Sequence, residues 1–175
     1  MVHRNMELLD ILDRHGNKIG KTIQRTRPMI MEKGEYYRIV DVWILNSRGE
    51  FLISKRVPTA NPEPDRWQPT TGCATSGDDS MSAALREVQE ELGINLDPKN
   101  GEKVKSYVFW DRAIIDVWVF RQEVDIGDVV LQLSETDDVR WAKSEDILEL
   151  AGSEKFLSPE RVPYLEELFS ICTVA

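Results

Sequence analysis

The first third of the chain alternates apolar and polar positions with the period of two that β-strands have. Residues 7–26, ELLDILDRHGNKIGKTIQRT, carry this alternation on both sides of Gly16 and Asn17, so the pattern predicts a hairpin that turns at those two residues. Residues 36–57, YYRIVDVWILNSRGEFLISKRV, hold two runs rich in β-branched and aromatic residues around positions 46–49. We predict that these two runs form central strands joined by a tight turn.

The rest of the pattern predicts one central helix, further strands and terminal helices. Four prolines lie between residues 58 and 69, which predicts a surface loop rather than a regular element. Residues 107–124 should form one long strand or two shorter ones, and residues 138–142 a further strand. Helices should begin at Ser144 and at Ser158, where Pro159 suits the first helical position. The predicted fold class is therefore α/β, with a mixed sheet covered on its faces by helices.

Composition and charge narrow the classes of protein that this chain can belong to. Its 175 residues, 41% of them hydrophobic and 30% charged, fit one globular domain. No run approaches the ~18 consecutive apolar residues of a membrane span, and the N-terminus lacks the pattern of a secretory signal. The two cysteines follow no disulfide or metal spacing, so we expect a reduced, cytoplasmic protein. A net charge of −9 argues against a partner such as long nucleic acid, whereas a small phosphorylated ligand would need a local cation.

The segment SMSAALREVQEEL, residues 80–92, predicts an amphipathic helix with an acidic side. Asp78, Asp79 and Ser80 are competent N-caps, and Gly93 is a natural terminator. At about 100° per residue, one arc is apolar and a separate arc carries three glutamates. The apolar arc contains Ala84, Leu85, Val88 and Leu92, and the acidic arc contains Glu87, Glu90 and Glu91.

Two explanations fit the acidic arc. A solvated helix face is the common one. Against it, Glu87 and Glu91 are a like-charge pair one turn apart, and Glu91 lies near the C-terminal end of the helix, where the helix dipole disfavours anions. A hard divalent cation would offset both costs, because Mg²⁺ prefers oxygen ligands and keeps positions open for substrate phosphates.

Residues 72–94, GCATSGDDSMSAALREVQEELGI, resemble the Nudix box, G-x5-E-x7-R-E-U-x-E-E-x-G-U, in which U is aliphatic. Eight of nine fixed positions match, and the exception is Asp78, which replaces the first glutamate of the box. The fixed positions are Gly72, Asp78, Arg86, Glu87, Val88, Glu90, Glu91, Gly93 and Ile94. The resemblance extends over most of residues 36–170 and implies an α/β/α sandwich with an N-terminal β-ribbon.

The resemblance also implies a metal-dependent hydrolase of diphosphate linkages and assigns roles within the box. Glu87, Glu90 and Glu91 would hold Mg²⁺ or Mn²⁺, with a backbone carbonyl near residues 71 and 72. Arg86 would orient these glutamates, supported by Asp78 and Gly72. The expected substrate is a nucleoside diphosphate linked to another moiety, or a related organic diphosphate.

Residues outside the box supply further candidates for the site. Glu90 and Glu135 are the candidates for general base, and Glu135 is favoured because Nudix enzymes often draw this residue from a loop after the box. Asp116 is a candidate additional metal ligand. Arg56 is the candidate for binding a substrate phosphate, and Trp67, in the proline-rich loop, is the aromatic residue best placed to border a ligand.

Two other functions stay open. The architecture resembles the isopentenyl diphosphate isomerase branch of the same superfamily, which needs a cysteine just before the box glycine and two metal-binding histidines. Those places hold Thr71, Cys73 and Tyr37 here, and the two histidines, His3 and His15, lie in the N-terminal segment. We therefore favour a hydrolase over an isomerase. The remaining alternative is a catalytically silent nucleotide-binding module.

The resemblance also implies an organisation of the chain. Residues 1–35 should be a β-ribbon extension of the same domain, and residues 36–175 the Nudix hydrolase domain. We expect a small-molecule diphosphate as partner, with no long nucleic acid and no membrane, and the ribbon offers an edge through which a homodimer could form.

Overall fold

The computed structural model describes residues 7–173. Residues 1–6, which include His3, and residues 174–175 lie outside the described part. The strands are β1 (Leu8–Leu12), β2 (Lys18–Gln24), β3 (Tyr37–Leu45), β4 (Phe51–Arg56), β5 (Trp67–Gln68), β6 (Thr70–Cys73), β7 (Gly101–Phe109), β8 (Ala113–Arg121) and β9 (Thr136–Ala142). The helices are α1 (Ser80–Leu92), α2 (Ser144–Gly152) and α3 (Leu165–Thr173). None of the helices between residues 7 and 173 has the length and apolar character needed to cross a membrane.

Strands β1 and β2 form a separate two-stranded antiparallel ribbon. Its turn is closed by Asp13, whose Oδ1 accepts hydrogen bonds from the backbone N–H of His15 at 2.8 Å and of Asn17 at 3.0 Å. Gly16 has φ +84°, which explains a glycine at this position of the turn. The predicted hairpin is therefore present, with its turn where the sequence placed it.

The main sheet has seven strands and is mixed, as predicted. Central strand β3 runs parallel to β8 along its whole length, from Tyr37 opposite Ala113 to Leu45 opposite Arg121. On its other side β3 pairs with β6 over residues 39–42 and meets β4 at its end. Strand β6, which leads into α1, is thereby fixed to the middle of the sheet.

Helices cover both faces of the sheet, because side chains along each strand alternate between two apolar clusters. The α1 side includes Val40, Val42 and Ile44 of β3 together with Ala83, Ala84, Val88 and Leu92 of the helix. The opposite side includes Trp43 and Leu45 of β3, Ile147 of α2, and Leu165, Leu168 and Phe169 of α3. The result is an α/β/α sandwich with a mixed sheet.

Two details differ from the sequence prediction or resolve it. The last helix begins at Leu165 rather than at Ser158, because one turn forms after Ser158 and Pro163 then interrupts it. The prediction for residues 107–124 resolves into two antiparallel strands: β7, which begins earlier, at Gly101, and β8. Trp110 and Asp111 have positive φ in the turn between them.

Candidate active site

Helix α1 is capped at both ends by the residues that its sequence offered. Of the candidate caps, Asp79 is the N-cap: its Oδ1 accepts from the backbone N–H of Ser82 at 2.7 Å, while Ser82 Oγ accepts from the Asp79 N–H at 2.8 Å. Gly93 ends the helix in the left-handed conformation with φ +68°. The caps set where α1 begins and ends, and the packing of its apolar side against β3 sets the direction of its glutamates.

The acidic arc of α1 is not a solvated face. Glu87 is 8% exposed and Glu91 3%, whereas Glu90 is exposed. Burial raises the pKa of Glu87 to about 7. Burial also raises the pKa of Glu91 well above its ordinary value, and the neighbouring carboxylates of Glu87 and Glu135 raise it further. Glu91 Oε2 is buried without a hydrogen-bond partner. Two buried carboxylates, one of them with an unpartnered oxygen, are the chemistry of a site for a cation.

Gly72 makes the approach of Glu87 to the sheet possible. A Cβ atom at position 72 would lie 2.0 Å from Glu87 Cδ and 2.2 Å from its Oε2. No residue other than glycine therefore fits at this end of β6 while Glu87 keeps its place. The carboxylate lies directly against the backbone that would offer a carbonyl oxygen to the same ion.

Arg86 connects the glutamates to the loop before the helix. Its Nη1 donates to Glu87 Oε1 at 3.0 Å and to Glu90 Oε2 at 3.2 Å. Its Nη2 donates to the backbone oxygen of Cys73 at 2.9 Å and to Asp78 Oδ2 at 2.9 Å, and Nε reaches the same oxygen at 3.1 Å. One guanidinium thus holds two glutamates, the box loop and the end of β6 in a fixed relation.

Asp78 reaches Arg86 although its side chain is one methylene shorter than the glutamate of the box pattern. The loop places it there: the backbone N–H and the hydroxyl of Thr75 donate to Asp78 Oδ2 at 3.0 and 2.9 Å. Four donors therefore converge on one carboxylate oxygen.

The loop that carries Glu135 is attached to the C-terminal end of α1. The N–H groups of Val130 and Gln132 donate to the backbone oxygens of Leu92 and Glu91, both at 2.9 Å. Glu135 is exposed and interacts electrostatically with Glu91. The structure therefore brings this candidate base close to the buried end of the acidic arc.

Arg56 lies on the same side of the site, within electrostatic range of Glu91 and Glu135. Its guanidinium donates to the backbone oxygens of Glu63 and Pro62 and to the side chain of Gln68, at 2.9 to 3.0 Å. Arg56 thereby fixes the proline-rich loop at the border of the site. Each terminal nitrogen keeps one further N–H beyond these bonds.

The side chains of Asp116 and Trp67 make contacts away from the three glutamates of the acidic arc. Asp116 is 1% exposed and accepts from Ser80 Oγ at 2.6 Å and Ser106 Oγ at 2.7 Å, with Arg38 Nε at 3.0 Å. It therefore ties the first residue of α1 to the sheet. Trp67 packs against the cluster on the α2 and α3 side, with the guanidinium of Arg140 4.6 Å from its ring centre.

A buried network behind β6 was not predicted. Asp41, in the middle of β3, is fully buried and accepts two hydrogen bonds from Arg161 at 2.8 and 2.6 Å and one from Tyr164 at 2.7 Å. Thr71 donates to Asp41 at 2.8 Å and accepts from Arg161 at 2.8 Å. The backbone beside Gly72 is thus held rigidly from the far side of the sheet. An acid inside an apolar strand was the signal available in the sequence.

The ribbon also contributes a charge to the site. Arg25, just after β2, pairs with Glu7 at 2.6 Å and interacts electrostatically with Glu87 and Cys73. No sequence pattern placed this arginine near the box.

The residues present fit a divalent cation. The donors are carboxylate oxygens, Glu91 Oε2 is buried and unpartnered, and Glu87 fills the space that Gly72 leaves. Within residues 7–173, no group of three acidic, histidine or cysteine side chains is already gathered as a complete cage. Arg86 Nη1 pairs with both Glu87 and Glu90 and so holds these two carboxylates beside each other.

Comparisons with known proteins show the family of this chain. The NUDIX domain family model matches residues 35–165. An uncharacterized Nudix hydrolase of Listeria monocytogenes is 33% identical over 169 residues, 95% of each chain. An isopentenyl-diphosphate Delta-isomerase of Photorhabdus laumondii is 28% identical, over 77% of this chain and 76% of its own. A crystal structure of a Deinococcus radiodurans protein superposes with a TM-score of 0.73 at 22% identity, covering 95% of this chain and 99% of that one.

The family model spans most of the chain, and the Listeria relative passes 30% identity over nearly all of it. The chain therefore belongs to the Nudix hydrolases, pyrophosphohydrolases that cleave a nucleoside diphosphate linked to another moiety.

Proposed function

We propose that this protein hydrolyses a phosphoanhydride bond in a nucleoside diphosphate linked to another moiety, or in a related organic diphosphate, with Mg²⁺ or Mn²⁺ held by Glu87, Glu90 and Glu91. The observation that carries the proposal is the burial of Glu87 and Glu91 beside Gly72, with Glu91 Oε2 unpartnered. Two acids at these positions are costly in a protein that never receives a cation there.

When bound, such an ion neutralises diphosphate charge and lowers the pKa of the water that attacks phosphorus. Arg86 orients Glu87 and Glu90 toward the ion through its bonds of 3.0 and 3.2 Å. The carbonyl next to Gly72, held from behind by the Asp41 network, is the proposed backbone ligand.

We assign the general base to Glu135, with Glu90 as the alternative. Glu135 is exposed, so it can exchange its proton with water, and its loop is anchored to α1 beside Glu91. Arg56 borders this position, and its remaining N–H groups can bind a substrate phosphate.

The organisation of the rest of the chain follows the same proposal. Residues 1–35 are an extension of the Nudix domain at 36–175, and the ribbon edge is the proposed contact in a homodimer. Both cysteines are free, which supports a cytoplasmic location.

The test is a screen of the purified protein with Mg²⁺ and Mn²⁺ against nucleotide, sugar-nucleotide and isoprenoid diphosphates. Phosphate, pyrophosphate and monophosphate products are resolved separately. We expect metal-dependent cleavage between phosphates. An inert wild-type protein that still binds the metal would support the silent nucleotide-binding module instead.

Isomerisation is the second candidate, because a relative at 28% identity is an isopentenyl-diphosphate Delta-isomerase. The residues at the corresponding places weigh against it: Thr71 precedes the box glycine, and Tyr37 and Cys73 stand where that chemistry needs histidines. In the same screen, conversion of isopentenyl diphosphate without release of phosphate would favour the isomerase and contradict the hydrolase.

A further inference from the structure

The N-terminal ribbon contacts the metal-site region at one loop, residues 74–79, which joins β6 to α1. The backbone N–H of Ser76 donates to the oxygen of Leu8 at 2.7 Å. Both oxygens of Asp10 accept from the same loop: Oδ1 from Ser76 Oγ at 2.8 Å and Oδ2 from the N–H of Gly77 at 3.0 Å. Lys18 of β2 lies 2.7 Å from Asp10 and neutralises its charge. The carboxylate of Asp10 therefore holds two consecutive loop residues.

The residue that follows these two is Asp78, the one departure from the box pattern. Its backbone N–H donates to the Thr75 oxygen at 3.0 Å, and its side chain receives the two Thr75 bonds already described. Its carboxylate meets Arg86 at 2.9 Å, and Arg86 in turn holds Glu87 and Glu90. Hydrogen bonds on both sides of the peptide link between Gly77 and Asp78 therefore connect the ribbon to the proposed metal ligands.

We propose that Asp10 is a positioning residue for the metal site. By fixing Ser76 and Gly77 it holds the loop in the position from which the short side chain of Asp78 reaches Arg86. The ribbon thus replaces the methylene that Asp78 lacks relative to the glutamate of the box. This inference rests on the proposed function for its catalytic consequence, although the placement of Arg86 can be measured without catalysis.

The first experiment compares Asp10→Ala with Asp13→Ala. Both variants remove one carboxylate from the ribbon, but Asp13 closes only the ribbon turn through His15 and Asn17. We expect Asp10→Ala to weaken Mn²⁺ binding and to lower kcat by ~10-fold each, the usual scale for a group that orients metal ligands. The KM for substrate should change less than twofold, and Asp13→Ala should stay near wild type in all three quantities.

The second experiment asks whether a longer side chain at position 78 removes the need for Asp10. In the Asp78→Glu background, Asp10→Ala should lose most of its effect on Mn²⁺ binding and kcat. A ribbon that served only the stability of the fold would produce the same loss in both backgrounds. Ser76→Ala, which removes only the 2.8 Å bond, provides a milder variant should Asp10→Ala fail to fold.

The third experiment uses the metal-free protein and nuclear magnetic resonance. The Nε–H of Arg86, bonded to Asp78 at 3.1 Å, should exchange with water faster in Asp10→Ala than in wild type or Asp13→Ala. Unchanged exchange together with unchanged Mn²⁺ affinity would overturn the inference. A wild-type protein without any diphosphatase activity would defeat the proposed function alone, because the exchange rate still decides the role of Asp10.

Discussion

The carboxylate of Glu87 occupies the space that a side chain at position 72 would fill, with Glu87 Cδ 2.0 Å from the ideal Cβ position of Gly72. The glycine of the box is therefore required by its neighbour on α1. Its own backbone conformation does not require glycine, because Gly72 does not have a positive φ. The contact links β6 and α1 at the point where the proposed ion binds.

Gly72→Ala should displace Glu87 and weaken metal binding while leaving the fold intact. A methyl group at this position meets Glu87 atoms at 2.0 to 2.3 Å, and the end of a glutamate side chain can move away. We expect Mn²⁺ affinity to fall by ~10-fold or more, as measured by electron paramagnetic resonance. Gly152→Ala is the matched control, because a Cβ there meets nothing within 4 Å. Equal affinities in the two variants would contradict the role given to Gly72.

Glu91→Gln should lower turnover and Mg²⁺ affinity and at the same time stabilise the metal-free protein. The substitution keeps the shape of a side chain that is 3% exposed and removes a charge that burial disfavours. We expect kcat to fall by ~100-fold or more and the Tm without metal to rise by ~2–4 °C, equivalent to about 1 kcal/mol. Glu149→Gln, on an exposed position of α2, should change neither. A variant that loses both activity and stability would indicate a merely structural glutamate.

Without bound metal, the free energy of unfolding should fall as the pH rises from 6 to 8. The pKa of Glu87 is raised from 4.5 to about 7, so the folded protein binds more protons than the unfolded chain between those values. The contribution of Glu87 to the free energy of unfolding is fully present below pH 4.5. It is lost as the pH rises through 7, by up to about 3 kcal/mol. With a chelator, urea unfolding at pH 8 should therefore show lower stability than at pH 6.

Two comparisons check the origin of that pH dependence. Glu87→Gln should make it shallower, because one of the two buried carboxylates with a raised pKa is gone and Glu91 remains. Saturating Mg²⁺ should raise stability more at pH 8 than at pH 6, since the ion binds the ionised carboxylates. A slope unaffected by Glu87→Gln would assign the effect to other groups.

Arg161→Met should destabilise the fold by about 3–5 kcal/mol, because it leaves the carboxylate of Asp41 fully buried without its cation. The measurement is the urea midpoint at constant m-value. Arg48→Met removes an exposed pair with Glu50 and should cost less than about 1 kcal/mol. Similar losses in the two variants would show that Asp41 does not depend on Arg161.

The sequence was sufficient to predict those features that depend only on residues close together along the chain. The ribbon turn at Gly16, the caps of α1 and the spacing of the box all follow from neighbours in sequence, and all could be predicted. Helical periodicity also placed Glu87 and Glu91 on one side of α1. It could not show that this side faces β6, because periodicity describes one helix and not what packs against it.

Contacts between distant parts of the chain could not be predicted from the sequence. Asp41 and Arg161 are 120 positions apart, and nothing near either residue indicates the other. The bonds from Asp10 to Ser76 and Gly77 span 66 and 67 positions. The same lack of long-range signal explains why Asp116 was offered as a metal ligand, when its partners Arg38 and Ser80 occupy it.

The ion pair between Asp41 and Arg161 also bears on the order in which the chain folds. The contact across 120 positions closes a longer loop than the hairpins or the parallel pair β3 and β8 do, so we expect it to form after them. Until then Asp41 lies on an open sheet face and stays hydrated. When Arg161 and Tyr164, just before α3, close over Asp41, water must leave both charges together. Contacts made this late mainly set the rate of unfolding. The lifetime of the folded state, more than the speed of reaching it, should therefore depend on this pair.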